Sequence, residues 1–270
     1  MSQPAVFEVE TDAHGGTTVS IDGYPQSYVH PGDPELLVFG YVQHLAAVLD
    51  ALGTGPLAVT HVGGAAMTLP RYVHHTRPGS PQIVLEPDAA LTERVRQVLP
   101  LPRGHRIRVR PQPGRQGVAA LKDDSAAVVV VDAYADSQVP ANLTTTEWFA
   151  DVARVLHEDG VVLMNAADEP DHRHVARVHA ALASELPHTL AVAEVDIWKR
   201  RRFGNLVLVG SRVPLPVAEI VRQVAKAPFP SRVLDGTALT RALGSAAPFT
   251  DHDARPSPPP PTPAGQWRLR

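Results

Sequence analysis

The stretch LAVTHVGGAAMTLPRYV (57–73), followed by QIVLEPD (82–88), is the most informative part of this chain. Leu57 to Val62 reads as a short apolar strand. Gly63 and Gly64 then let the backbone turn tightly and come close to a ligand. A helical pattern follows, and Gln82 to Glu86 reads as a second strand. Glu86 falls 22 residues after Gly64, close to the spacing of roughly 20 at which an acid after the second strand of such a unit accepts hydrogen bonds from ribose hydroxyls. A Gly-Gly pair alone is an ordinary turn. The ordered series of strand, turn, helix, strand and acid is what points to a nucleoside.

Working outward, strands are expected at Arg106 to Arg110, Ala126 to Asp132 and Gly160 to Asn165, with helices at Ala89 to Val98, Thr145 to Leu156 and Asp171 to Leu186. This alternation implies right-handed crossovers and a mainly parallel, doubly wound α/β sheet. Val128 to Val131 is a continuous apolar run, as expected of a strand covered on both faces, and Asp132 follows it. Open sheets of this kind bind ligands beyond the carboxyl ends of their strands, so Gly63, Gly64, Glu86 and Asp132 are predicted to share one rim. Ala191 to Trp198 and Gly204 to Ser211 read as an antiparallel edge pair joined by the KRRRF turn, whose basic triplet Arg200 to Arg202 is a solvated turn on this reading. A helix at Pro216 to Lys226 follows.

Residues 1–52 form a separate predicted unit. Ala5 to Ser27 reads as a β-hairpin about His14-Gly15-Gly16, and Pro34 to Leu52 as a helix covering the sheet. Residues 53–255 make up the main α/β unit. From Pro256 the text becomes PSPPPPTPAGQ, and 256–270 is expected to be a disordered tail.

Composition narrows the function. A net charge of −3 leaves no electrostatic footprint for nucleic acid or an anionic membrane, and no apolar run is long enough to span a bilayer. With no Cys there is no thiolate nucleophile, disulfide or Cys-ligated zinc. The opening MSQPAVFEVETD lacks a basic segment followed by an apolar one, so a cytoplasmic protein is expected. His74-His75 and His172-x-His174 lack a partner at convincing ligand spacing, and no metal is expected.

At HVGGAAMTLPRYV, VLEPD, VVVVDAYADSQVPANLTTTEW and RRRFGNLVLV the chain resembles the spermidine synthase (polyamine aminopropyltransferase) family, particularly its bacterial spermidine-synthase-like branch. The likeness runs from the N-terminal hairpin to about Asp251. It implies a Rossmann-like sheet of the S-adenosylmethionine-dependent methyltransferase type behind a small N-terminal β domain, and assembly as a homodimer or higher oligomer. It further implies a cleft for decarboxylated S-adenosylmethionine or a related nucleoside thioether as co-substrate, no tightly bound cofactor, and a polyamine such as putrescine as acceptor. By this resemblance Glu86 holds the ribose and Asp132 takes part in activating the amine. Gln26 and Tyr41 line the substrate cleft.

The chain also departs from the family pattern. The family's glycine turn continues with glycines and an acid that meets the cationic donor, where this chain has Ala65, Ala66 and Met67, side chains expected to narrow the approach. Pro113 stands where the family has an acid for the adenine amino group. The second acid of the Asp-x-x-Asp motif falls on Ala135, with Asp136 adjacent as a substitute if the loop shifts. Two other readings therefore stay open: a non-catalytic homologue acting as a binding or oligomeric module, and a methyltransferase on the same sheet.

Overall fold

The computed structural model describes residues 7–21 and 23–261. Ala5 and Val6 of the expected hairpin, and 262–270 of the tail, lie outside them. Three strands come first, β1 (Phe7–Thr11), β2 (Thr17–Ile21) and β3 (Tyr24–Val29), paired antiparallel in that order. The expected hairpin is thus extended by a third strand. Pro25 obscures it in the sequence, but β3 is an edge strand, where a missing N–H is tolerated.

The main chain then runs α1 (Gly40–Ala51), β4 (Val59–Val62), α2 (Thr68–Thr76), β5 (Gln82–Leu85), α3 (Ala89–Val98), β6 (Ile107–Arg110), α4 (Gly114–Ala119) and β7 (Ala126–Val131). It continues with α5 (Thr146–Val155), β8 (Leu156–Asp168), α6 (Arg173–Glu185), β9 (His188–Glu194), α7 (Val195–Trp198), β10 (Gly204–Ser211), α8 (Val217–Val224), β11 (Ser231–Asp235) and α9 (Gly236–Leu243). Helix starts follow local chemistry. The Asp88 carboxylate accepts from the Leu91 N–H at 2.8 Å, and the Thr145 hydroxyl from the Trp148 N–H at 3.2 Å, each satisfying a free donor at a first turn.

The large sheet has the order β11-β9-β10-β8-β7-β4-β5-β6. It is parallel from β8 through β7, β4 and β5 to β6, and antiparallel across β8, β10, β9 and β11. Val129 and Val131 of β7 pack into one core with Trp148, Phe149 and Leu182, while Val128 and Val130 pack into the opposite core with Leu45, Leu49 and Ile220. Burial on both faces accounts for the unbroken valine run. No helix among the described residues is long and apolar enough to cross a membrane.

Four expectations are corrected. The helix expected from Pro34 begins at Gly40, because Asp33 captures the chain first: its carboxylate accepts from the Glu35 N–H and its carbonyl from the Leu36 N–H. Val195 to Trp198 is one helical turn rather than strand. The ladder from β11 ends at Ser231 opposite Glu194, the Val195 N–H makes one more bond to the Pro230 carbonyl at 3.0 Å, and beyond it the chain curls. The β9–β10 pair is antiparallel as expected but is not the edge, which β11 occupies. Finally, the start of the Pro-rich segment is packed. Ser257 is fully buried, its hydroxyl accepts from the Val139 N–H at 2.9 Å, and its own N–H donates to the Val139 carbonyl at 3.1 Å.

That C-terminal strap is also clamped by charge. Asp251 takes a bidentate pair of bonds from Arg115, at 3.0 and 2.8 Å, and one from the Thr145 hydroxyl at 2.6 Å. The Thr145 bond and then Arg115 hold its carboxyl below the usual range. A lowered carboxyl stabilises the folded chain at neutral pH and loses that contribution as pH falls. Asp251→Ala is expected to cost about 1 kcal/mol, modest because half of the side chain is exposed. Urea denaturation at pH 7 checks it, and the deficit should shrink in acid.

Candidate active site

The chain passes from β4 outward to β5 and β6 and then crosses back to β7 on the other side of β4, so β4 and β7 flank the point where the winding reverses. Crevices open there, beyond the carboxyl ends of the strands. The register aligns three residues across that rim. Val62 pairs with Leu85 and with Val131, so Gly63, Glu86 and Asp132 fall side by side one residue further on. Side chains alternate along a strand, which puts this row on the same sheet face as His61, Val84 and Val130. Between its two carboxylates stands a residue with no side chain. A cavity of about 420 Å³ opens over the row and is lined by Glu86, Gly63, Gly64 and Asp132, with Gln26 from β3 and Tyr41 from α1. The structure thus brings together all the residues singled out from the sequence save one. Asp136 is exposed and is not part of the lining, which is formed in that loop by Ala133, Tyr134 and Ala135.

Glu86 is buried, at 8 % exposure, and is tied to the glycine turn. One carboxylate oxygen accepts from the Gly64 and Ala65 N–H groups at 3.1 and 3.3 Å, and the other from the Asp88 N–H at 3.0 Å. An ionised carboxylate has about four acceptor positions, so three backbone bonds orient the group and leave capacity for a ligand hydroxyl.

The turn keeps a glycine-like path through residues that are not glycine. Gly63 has φ +90°, and Ala65 and Met67 also lie in the left-handed region, at 33° and 61°, a conformation costing a residue with a Cβ about 1 kcal/mol or more. At Met67 burial offsets it, for the side chain is fully buried; the neighbouring Ala66 is fully buried too and packs against Val19 and Val29 of the N-terminal sheet. The Ser27 hydroxyl of β3 accepts from the Ala66 N–H, and the Thr68 hydroxyl donates to the Tyr28 carbonyl at 3.0 Å. The expected narrowing is therefore corrected, since Ala65 alone of these three lines the cavity.

Asp132 is half-buried. Burial pushes its carboxyl up to about 6, against the pull of a hydrogen bond from the Asn165 amide at 2.9 Å. Burial and the Asp132 charge together raise the hydroxyls of Tyr41 and Tyr134. His61 bonds Gln82 at 2.8 Å and burial lowers it to about 4, so it contributes no positive charge at neutral pH. At the end of β6, Pro113 lines the cavity together with Asn142 and Arg115, the latter spent on Asp251.

The sequence reading overlooked Asn165, Asn205, Tyr134 and His61. Asn165 carried the same signal as Asp132, a polar residue ending an apolar strand, and Asn205 sat inside a quoted motif. The histidines of His172-x-His174 pack on aromatic rings, His172 edge-on to Trp198 and His174 against Phe249, while His75 of the other pair lies 3.2 Å from the Glu35 carboxylate. Among the described residues no group of three or more His, Asp or Glu is arranged to hold a metal ion. Two members of the basic triplet are paired, Arg201 with Asp196 and Arg202 with Glu194.

No protein-family model and no curated protein matches the sequence. Solved structures do. A probable spermidine synthase from Corynebacterium glutamicum is 28% identical, with a TM-score of 0.85 over 92% of this chain and 93% of that one. A spermidine synthase in complex with the transition-state analogue AdoDATO matches at 15% identity and TM-score 0.56, over 91% and 82%. Human methyltransferase-like protein 13 in complex with SAH matches at 21% identity and TM-score 0.53, over 78% and 93%, a likeness of fold. With a β-sheet at its N-terminus, a methyltransferase-type sheet behind it and this chain-long likeness, the protein resembles the spermidine synthases in fold over nearly its whole length.

Proposed function

We propose that this protein binds a nucleoside sulfonium in the cavity and transfers its aminopropyl group to an amine, with decarboxylated S-adenosylmethionine as donor and a polyamine such as putrescine as acceptor. The observation that carries the reading is the row Glu86, Gly63, Asp132, two carboxylates flanking a gap over one cavity. Glu86 accepts from a ribose hydroxyl. An alkylamine with a pKa of about 10.4 is protonated near neutral pH and cannot attack carbon. Asp132 accepts the amine's proton, the nitrogen lone pair forms the new C–N bond, and the C–S bond breaks with its electrons moving to sulfur, releasing methylthioadenosine. A carboxyl raised toward neutrality is a better proton acceptor than an ordinary aspartate. Gln26 and Tyr41 line the acceptor end. On this reading the protein works on small molecules in the cytoplasm, as a homodimer or higher oligomer.

The second reading, a nucleoside-binding homologue without transfer activity, is favoured by Ala66, Pro113 and Ala135 standing where the family has acids. Calorimetry with methylthioadenosine, decarboxylated S-adenosylmethionine and S-adenosylmethionine comes first, and an assay with putrescine second. Binding with turnover supports transfer, and binding without it supports the second reading. If none of the three nucleosides binds at millimolar concentration, both are lost. Glu86→Gln is expected to weaken methylthioadenosine binding about 10-fold or more by removing a charged acceptor.

A further inference from the structure

Asn165 and Asn205 are absent from the cavity wall, yet they stand directly behind it. The Asn205 amide nitrogen donates to the Asn165 side-chain oxygen at 2.9 Å and to the Tyr134 hydroxyl at 3.0 Å. The Asn165 amide nitrogen donates in turn to one oxygen of Asp132 at 2.9 Å. The pairing of β8 with β10 brings the two amides together: Val207 lies opposite Asn165 and Asn205 opposite Ala167, so both asparagines share one face two residues apart. Asn165 is 1% exposed. An amide turned the wrong way at that depth would set nitrogen against nitrogen and leave donors unmet.

We propose that Asn205 and Asn165 are positioning residues that hold the Asp132 carboxylate in one orientation, with one oxygen bound to the protein and the other presented to the cavity. Asn205 sets the direction of the chain. Its nitrogen can only donate, which makes the Asn165 oxygen the acceptor and turns the Asn165 nitrogen toward Asp132. The same nitrogen aligns Tyr134, so one residue outside the cavity orients two groups inside it. The proposal rests on the reading of Asp132 as the amine-facing acid, but its test follows the carboxyl itself.

The titratable groups facing Asp132 are Tyr41 from α1 and Tyr134 from the loop after β7. Glu86 lies along the same row and His61 on the same sheet face two residues before Gly63, and Arg115 lines the cavity in its pair with Asp251. With aspartate carboxyl carbons labelled in the full chain, the Asp132 resonance, assigned by its loss in Asp132→Asn, is followed by NMR from pH 4 to 8. The wild type should titrate near 6. In Asn205→Ala the Asn165 amide is released and the midpoint should rise by about half a pH unit. In Asn205→Asp the new side chain accepts instead of donating. The Asn165 amide then flips and offers its oxygen to Asp132, and the midpoint should rise by about one pH unit or more. The new carboxylate also repels Asp132 directly, so the order is read together with the Asn165 side-chain amide protons, whose response to the Asp132 titration should be present in the wild type and lost in Asn205→Asp; a response kept in that variant would overturn the proposal. Equal midpoints in all three proteins, or the two variants shifted equally, would overturn the proposal. Absence of turnover with the order intact would instead count against the transfer reaction alone.

Discussion

Asp132→Asn is expected to slow aminopropyl transfer severely and, at pH 8, to make the protein more stable. The two effects share one cause. Burial raises this carboxyl to about 6, the Asn165 bond pulling the other way without cancelling it. The folded chain therefore binds the proton more tightly than the unfolded chain, whose aspartate titrates near 3.8. The stabilisation is fully present below about pH 4 and is lost as pH rises through 6. At pH 8 the wild type holds an ionised carboxylate that is worse solvated than in the unfolded state. Asparagine keeps an oxygen for the Asn165 N–H and carries no charge to desolvate. The gain should be about 1–2 kcal/mol, discounted because the group is only half-buried. Urea denaturation at pH 4 and pH 8 measures it, with the two proteins close in acid and the variant ahead in base. Removing the proton acceptor should slow transfer by roughly 10²–10⁴-fold. A variant less stable than wild type at pH 8 would mean that Asp132 serves the fold rather than the chemistry.

Gly63→Ala should be the most damaging single-methyl change in the site. The residue has φ +90°, and a Cβ built on it would meet the Asp132 carbonyl oxygen at 2.2 Å and its carbon at 2.8 Å. Those are backbone atoms, and the Asp132 N–H is already bonded to the Val62 carbonyl at 2.9 Å, so neither strand end yields without breaking the ladder between β4 and β7. A loss of about 3 kcal/mol or more is expected from clash and left-handed strain together, with nucleoside binding lost because the new methyl stands between Glu86 and Asp132. Gly64→Ala is the internal comparison. Its Cβ would meet a side-chain methyl of Val84 at 2.7 Å, and the smaller conflict should cost about 1 kcal/mol. Thermal unfolding and methylthioadenosine calorimetry on the two variants separate the cases. Near-equal stability would show that the close approach to β7 is not what requires glycine at 63.

Much of this was legible before any coordinates. The parallel strands announced themselves because a strand covered on both faces must be apolar throughout, and residues 126–131 obey that rule. Glu86 and Asp132 stood out as acids ending such strands. The stretches that misled were those whose conformation depends on a distant partner. Val195 to Trp198 alternates like a strand but has no ladder to join. Ser231 to Asp235 is an ordinary short segment that becomes the sheet edge because β9 lies beside it. Ala66 and Met67 looked like obstructions in the cavity, yet both side chains are buried out of it, Ala66 against the docked N-terminal sheet.

The one-dimensional pattern was enough for the α/β class and for picking out two acids at strand ends, because hydrophobic period and strand-end chemistry are local properties; the reversal of winding beside β4 is seen only in the strand order. Which polar groups stand behind those acids was not local at all. Asp132, Asn165 and Asn205 are brought into one hydrogen-bonded line by the register of β7, β8 and β10. Register is set by packing across the whole sheet, and a shift of one residue would turn each of them to the other face.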